Sequence, residues 1–140
     1  MIMRTLLILL AIALFTSCNK EETQSCWALI NGSLEYVELD EAPKLLPNAQ
    51  SSPEIALEDL NYPAEARENS IEGTVEIQYT ITTSGVFTDA KVNIDIGGGC
   101  GQACLDALAQ LDGLTLYEPG IYNGQAVEVY KILPINFKLE

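Results

Sequence analysis

The residues that could do chemistry are four cysteines, and the chain has no histidine to work with them. The cysteines are Cys18, Cys26, Cys100 and Cys104. Without histidine the sequence has no Ser/His/Asp or Cys/His nucleophilic site and no His-ligated zinc. Nothing supplies a fourth ligand at a usual spacing, so we predict neither a metal site nor a cofactor.

Acidic residues dominate the charged set, with 20 Asp and Glu against 7 Lys and Arg and a net charge of −13. Such a charge repels phosphate backbones, so we predict no nucleic-acid partner. We expect Glu65, Glu68, Glu72 and Glu76 to be solvated surface rather than acid/base catalysts, which indicates that the protein is not an enzyme. The glycine loop at 97–101 lacks the spacing and the lysine of nucleotide-binding loops.

The first 17 residues are typical of a signal peptide. Leu6 to Phe15 is an unbroken apolar run behind Arg4. It is too short to span a bilayer but long enough for a secretory signal. The following Thr16-Ser17-Cys18 resembles the bacterial lipobox, with Phe15 where a leucine is usual. We predict acylation of Cys18, with an ordinary secretory signal and a chance cysteine as the alternative.

Residues 18–33 are then expected to be the lipidated N-terminus and its tether. Removal of the signal peptide takes away Arg4 and brings the net side-chain charge from −13 to −14. Asn19-Lys20-Glu21-Glu22 is similar to the signal that sends some Bacteroidetes lipoproteins to the cell surface, and a plain solvated tether is an equal alternative. We therefore predict a membrane-anchored lipoprotein of the cell envelope, on the periplasmic or the surface face of the outer membrane.

Periodicity in the remaining chain predicts an α+β fold. Apolar residues alternate strictly with polar ones over Thr74–Thr82 and again over Asp89–Ile96, which indicates an antiparallel hairpin. Helical spacing is found at Ala64–Asn69 and from Cys104 to Leu111. The last strand, Gln125–Leu139, contains Pro134, which cannot donate a ladder hydrogen bond. We therefore expect this strand at a sheet edge, with a bulge near Lys131.

Seven short segments, in this order and spacing, together resemble the TonB C-terminal domain family over most of the chain after the tether, residues 34–140. They are Tyr62-Pro63, Ile71–Val75, Ser84-Gly85, Gly97–Cys100, Glu118–Gly120, Asn123–Val127 and Leu133–Leu139. The resemblance implies a three-stranded antiparallel sheet in the order 2-1-3, with two helices packed on one face. It also implies that the last strand of energy-transducing members pairs with an extended "TonB box" of an outer-membrane transporter.

Strand addition is the function that this resemblance favours. The partner would be a TonB-dependent transporter or another envelope protein, bound as part of TonB-type transmembrane transport. The predicted edge consists of Val127, Val129, Tyr130, Lys131, Ile132 and Leu133. The alternative is a structural lipoprotein in which the same edge pairs with its own copy as a homodimer. A lipobox in place of a membrane helix and a proline-rich spacer predicts that the protein does not transmit force from the inner membrane.

Three cysteines remain besides Cys18. Because three is an odd number, they cannot all pair in disulfides in an oxidising compartment. We expect at most one disulfide, with Cys26 as the natural partner of Cys100 or Cys104 and Cys26–Cys100 as the candidate bridge. Cys100 and Cys104 are less suited to each other, because side chains four apart on a helix lie alongside one another.

Overall fold

The structure, a computed structural model, describes residues 25–139. The signal peptide, Cys18 and Asn19–Glu22 lie outside the described residues. The elements in chain order are β1 (Ser25–Ile30), β2 (Ser33–Glu38), β3 (Lys44–Leu45), α1 (Pro53–Glu58), α2 (Ala64–Glu68), β4 (Gly73–Ile81), β5 (Phe87–Ile94), α3 (Cys100–Leu108), a 3-10 turn (Ala109–Leu111), β6 (Tyr117–Glu118), β7 (Gly120–Tyr122) and β8 (Gln125–Phe137). Within this part of the chain, no helix has the length and apolar character needed to cross a membrane.

The main sheet has the strand order β2-β1-β8-β4-β5, and β7 also pairs with β8. Its β5-β4-β8 portion confirms the predicted antiparallel sheet in the order 2-1-3. Strands β1 and β2 extend that sheet beyond the last strand. A separate two-stranded ladder joins β3 to β6.

The bulge predicted near Lys131 is wrong. The register of β4 against β8 runs without a shift from Gly73 opposite Phe137 to Ile81 opposite Val129. Lys131 keeps its place opposite Tyr79 and is only half-buried. The aliphatic stem of a lysine can lie along apolar surface while its ammonium reaches water, so no bulge is needed to turn it outward. The irregularities lie in the β4–β5 pairing instead.

The main core fills the space between one face of the sheet and the helices. Val75, Ile77 and Ile81 of β4 are fully buried against Cys104 and Leu108 of α3, which confirms helix packing on that face. Besides the two helices predicted, the sheet carries α1, which the sequence analysis did not predict. Its start is a common one: the Ser52 hydroxyl accepts a hydrogen bond of 3.3 Å from the amide of Ile55, and proline follows at the first helical position.

A tight two-residue turn joins β1 to β2. Asn31 and Gly32 both have positive φ, at 50° and 83°, and Asn-Gly is the pair preferred for such a turn because it matches the twist of the flanking strands. The register runs from Ser25 opposite Glu38 to Ile30 opposite Ser33. Residues 25–33, which the sequence assigned to the tether, therefore form part of the sheet, and the folded region begins before residue 34.

Candidate functional site

The last strand, β8, is the candidate partner-binding strand, and its two halves have different neighbours. On one side β4 pairs with Val129–Phe137. Further pairing partners are β7, which pairs with Gln125–Val127, and β1, which pairs with Glu128–Tyr130. Within the described residues 25–139, no strand other than β4 pairs with Lys131–Phe137.

The predicted edge residues are therefore split between two environments. The edge prediction is wrong for Val127, Val129 and Tyr130. Val127 faces Gly120 of β7, and Val129, which is fully buried, lies between Ile81 and Ala28. In contrast, Lys131, Ile132 and Leu133 have a strand neighbour only in β4 among the described residues.

Strand β1, which pairs with Glu128–Tyr130 of β8, packs on a small hydrophobic core separate from the main core. Ala28, Leu39 and Val129 are buried together, with Cys26 and Ile30 packed against them. Gly120 belongs to the same fit, because a Cβ at that position would lie 2.8 Å from Cγ2 of Val129. A contact that close leaves no room for a side chain at Gly120 of β7.

The outer face of the sheet, which carries no helix, is the feature that sequence reasoning missed. Trp27 is opposite Tyr36 on one side and Tyr130 on the other, so the three aromatic residues form one row. Trp27 and Tyr36 make an edge-on contact with ring centroids 5.5 Å apart. The sequence feature that could have indicated this face is the segment 26–30, in which apolar residues occupy both faces of the strand.

Tyr130 has a partner on its own strand. Its hydroxyl donates a hydrogen bond of 2.6 Å to the Glu128 carboxylate. This hydrogen bond to Glu128 and, to a smaller extent, partial burial raise the pKa of Tyr130 to about 12. Tyr130 is therefore a neutral donor at physiological pH, and it orients the Glu128 carboxylate along the strand.

The candidate Cys26–Cys100 disulfide is absent from the structure, and that prediction is wrong: Cys26, Cys100 and Cys104 are all free. The reason is their placement. Cys26 packs in the small core beside β8, whereas Cys100 and Cys104 are fully buried on α3 in the main core. Burial raises the pKa of all three thiols, that of Cys104 to about 11. Thiols so protonated are poor nucleophiles.

The glycine loop before α3 is closed by the protein itself. One oxygen of the Asp95 carboxylate accepts hydrogen bonds from the amides of Ile96, Gly97 and Gly101, at 2.8, 3.1 and 3.2 Å. Amides of this kind bind phosphate in nucleotide-binding loops. Here a carboxylate already takes the place of the anion, which gives the loop a structural role.

The carboxylates named in the sequence analysis, Glu65, Glu68, Glu72 and Glu76, lie at the surface. Glu65, Glu68 and Glu72 are exposed and Glu76 is half-exposed, where it accepts a hydrogen bond from Asn93. Within residues 25–139, no group of three or more acidic or cysteine side chains could hold a metal ion. The features left for function are the one-sided half of β8 and the outer face.

Residues 58–139 match the family model of the Gram-negative bacterial TonB protein C-terminal domain. The chain belongs to this TonB C-terminal family. It is therefore a TonB-type envelope protein, of a family that interacts with envelope proteins such as TonB-dependent transporters and is not enzymatic. A comparison with curated proteins gave no match. The matched range begins at the last residue of α1, so β1 and β2 lie outside the part that the TonB family model describes.

Proposed function

We propose that this TonB-type protein is anchored to the membrane through an acylated Cys18 and binds an extended segment of an envelope partner by adding it as a strand beside Lys131–Phe137. The observation that carries the proposal is the one-sided pairing of this stretch within the described residues. The partner class is that of the family, the N-terminal segment of an outer-membrane transporter or a similar envelope segment.

The geometry of the stretch suits a short extended guest. Seven residues of strand span about 23 Å, and the main chain would supply alternating donors and acceptors along that length. Pro134 has a carbonyl but no amide, so it cannot donate a hydrogen bond to a strand on either side. The exposed Ile132 on the outer face and the half-buried Leu133 on the inner face would contact alternate side chains of the guest.

This binding edge lies further along β8 than the one predicted from sequence, which began at Val127. Glu128–Tyr130 already pairs with β1, so a guest strand would begin where the β1 pairing ends. Strand β1 runs antiparallel to β8, with Trp27 opposite Tyr130, and the chain therefore enters the sheet from the Ile132 side.

A pair of proline variants tests strand addition. Consecutive residues of a strand direct their amides to opposite sides. Of the two variants Lys131→Pro and Ile132→Pro, one therefore removes a hydrogen bond to β4. The other removes only a hydrogen-bond donor from the proposed binding edge. We expect the second kind to keep the wild-type unfolding midpoint and to lose about ten-fold in affinity for a synthetic TonB-box peptide. Titration calorimetry measures the affinity. Wild-type affinity in the stable variant would refute the edge.

Amide hydrogen exchange on the wild-type protein provides a second measurement that needs no variant. Peptide binding should slow exchange within Lys131–Phe137 and leave Ser33–Glu38 of β2 unchanged. Protection confined to β2 would move the binding edge to the other end of the sheet and contradict the proposal.

Self-association is the second candidate function, and a specific observation supports it: β2 is the terminal strand of the sheet within the described residues and exposes Leu34 and Tyr36. Glu35 and Glu38 of β2 argue against self-association, because charges on an edge strand discourage pairing with another copy. Sedimentation at several concentrations separates the candidates. A tight dimer that binds no peptide would favour self-association over strand addition.

The anchor is tested by Cys18→Ser in the full chain, expressed in a Gram-negative host. We expect the variant to move from the membrane pellet to the soluble fraction, because acyl chains supply the membrane affinity. Cys26→Ser is the matched control and should stay in the pellet, since Cys26 packs inside the sheet. Retention of the Cys18→Ser variant in membranes would refute acylation at that residue.

A further inference from the structure

Large apolar side chains gather on the outer face of the sheet. We define the aromatic face as Trp27, Leu29, Leu34, Tyr36, Tyr130 and Ile132. Trp27 is 47% exposed, Leu34 54%, Tyr36 63% and Ile132 46%. Four of them, Trp27, Leu34, Tyr130 and Ile132, also line a groove of about 560 Å³ on this face. Lys91 and Asn93 of β5 line the same groove. Contiguous apolar surface of this kind marks an interaction site rather than ordinary solvent contact.

The strand pattern indicates that the aromatic face is covered in the working protein. The inward residues of β1, namely Cys26, Ala28 and Ile30, already fill the small core. Trp27 and Leu29 on the opposite side of the strand are equally apolar but have no layer over them within the described residues. A strand that is apolar on both sides is typical of one buried on both sides.

The position of the face along the chain indicates what covers it. Ser25, where β1 begins, lies seven residues after Cys18, so the chain between them spans at most about 24 Å. Trp27 follows two residues later. If Cys18 carries acyl chains, this short connection keeps the aromatic face at the bilayer surface and gives it a high effective concentration there.

We propose that the aromatic face rests on the lipid surface in which the acyl chains are inserted. The inference rests on the proposed lipid anchor. Trp and Tyr side chains favour the water–lipid boundary, because each combines an apolar ring with a polar group. The face alone binds weakly, and the anchor makes the contact persistent. Contact of this kind orients the domain, with the helices directed away from the membrane.

Charge restricts the kind of lipid. The chain after residue 17 has a net side-chain charge of −14. Glu38 and Glu128 lie on the same face of the sheet as Tyr36 and Tyr130, because each is two residues away from one of them on the same strand. Anionic headgroups would repel this surface. The proposal therefore commits to zwitterionic lipid, and contact should weaken when anionic lipid is added at low salt.

Trp27 is the one tryptophan of the sequence, so the native protein reports the contact directly. Lipidated full-length protein is reconstituted into phosphatidylcholine vesicles with either ordinary or brominated acyl chains. We expect brominated lipid to reduce tryptophan emission by about two-fold, because bromine quenches an indole held at the boundary. Emission that is equal in the two vesicles, while the protein still sediments with them, would overturn docking and leave the anchor intact.

Matched variants locate the contact. The double variant Leu34→Ser with Ile132→Ser should restore most of the tryptophan emission in brominated vesicles. Leu114→Ser is the control, since Leu114 is 46% exposed but follows the 3-10 turn, outside the aromatic face, and its quenching should match the wild type. Equal quenching in the double variant would overturn the assignment of this face.

Two further results distinguish lipid docking from loss of the anchor and from self-association. If wild-type protein from cells fails to sediment with vesicles, the anchor and the docking proposal both fall. If Cys18→Ser protein without vesicles shows a concentration-dependent blue shift of Trp27 emission together with dimerisation, a second copy covers the face and the lipid proposal is overturned.

Discussion

Replacement of Gly85 by alanine is expected to lower the free energy of unfolding by about 3 kcal/mol or more. Gly85 has φ of +80°, and a Cβ there would lie 1.8 Å from the carbonyl oxygen of Tyr117. A backbone oxygen cannot rotate out of the way. The turn after β4 and the start of β6 must separate, which also breaks the bonds that the amides of Leu116 and Tyr117 donate to the Gly85 carbonyl, both 3.1 Å.

Urea unfolding measures this loss, and Gly32→Ala is the matched control. Gly32 has a similar φ of +83°, but nothing lies within 4 Å of the position that a Cβ would take there. The control therefore carries only the strain of a left-handed alanine, about 1–2 kcal/mol. If the two variants lost the same stability, the contact between Gly85 and Tyr117 would not contribute and the argument would fail.

The second large effect is a loss of stability in alkaline solution. Tyr79 and Tyr117 are both buried in the main core, where they are 3% and 8% exposed. Burial raises the pKa of Tyr79 to about 12, and burial together with the neighbouring Tyr79 raises the pKa of Tyr117 further above its usual value. The unfolded chain loses these protons from about pH 10, whereas the folded chain keeps them.

Ionisation therefore favours the unfolded state. The stabilising contribution of neutral Tyr79 is fully present below pH 10 and is lost as the pH rises towards 12, by up to about 3 kcal/mol. The measurement is the free energy of unfolding at pH 9 and pH 12. The double variant Tyr79→Phe with Tyr117→Phe removes both ionisable hydroxyls, so it should lose less stability over this range.

Tyr36→Phe is the control for general alkaline effects, because Tyr36 is 63% exposed. It should lose as much stability as the wild type between the two pH values. A double variant that loses as much as Tyr36→Phe would show that ionisation of the buried pair does not drive the alkaline transition.

Much of the central fold was predictable from local pattern. The alternation in Thr74–Thr82 predicts β4 because one face of that strand is covered by helices and the other is not, so period two is visible in the sequence. Helix α3 follows from the spacing of Cys104, Leu108 and Leu111. The seven short segments that resemble the TonB family depend on glycine, proline and turn residues, whose backbone requirements are local.

The site was less predictable, and β1 shows why. Cys26–Ile30 is apolar on both faces, so periodicity alone does not distinguish a strand from a docking segment. The Asn31-Gly32 turn fixes where β1 ends but does not specify which strand lies on its other side. Its pairing with Glu128–Tyr130 joins positions about a hundred residues apart, and no local signal specifies such a partner.

The amino-acid sequence by itself determined the class of the protein: an acidic chain without histidine, an α+β domain of the TonB C-terminal family and a central hairpin with one wet face. Only the tertiary structure decided which backbone groups of β8 are already paired, that Asp95 closes the glycine loop, and that Trp27 and Tyr36 share an exposed face. The physical reason is that composition and periodicity act along the chain. Strand pairing instead uses main-chain groups common to nearly every residue, so its partners are selected only when the whole sheet packs.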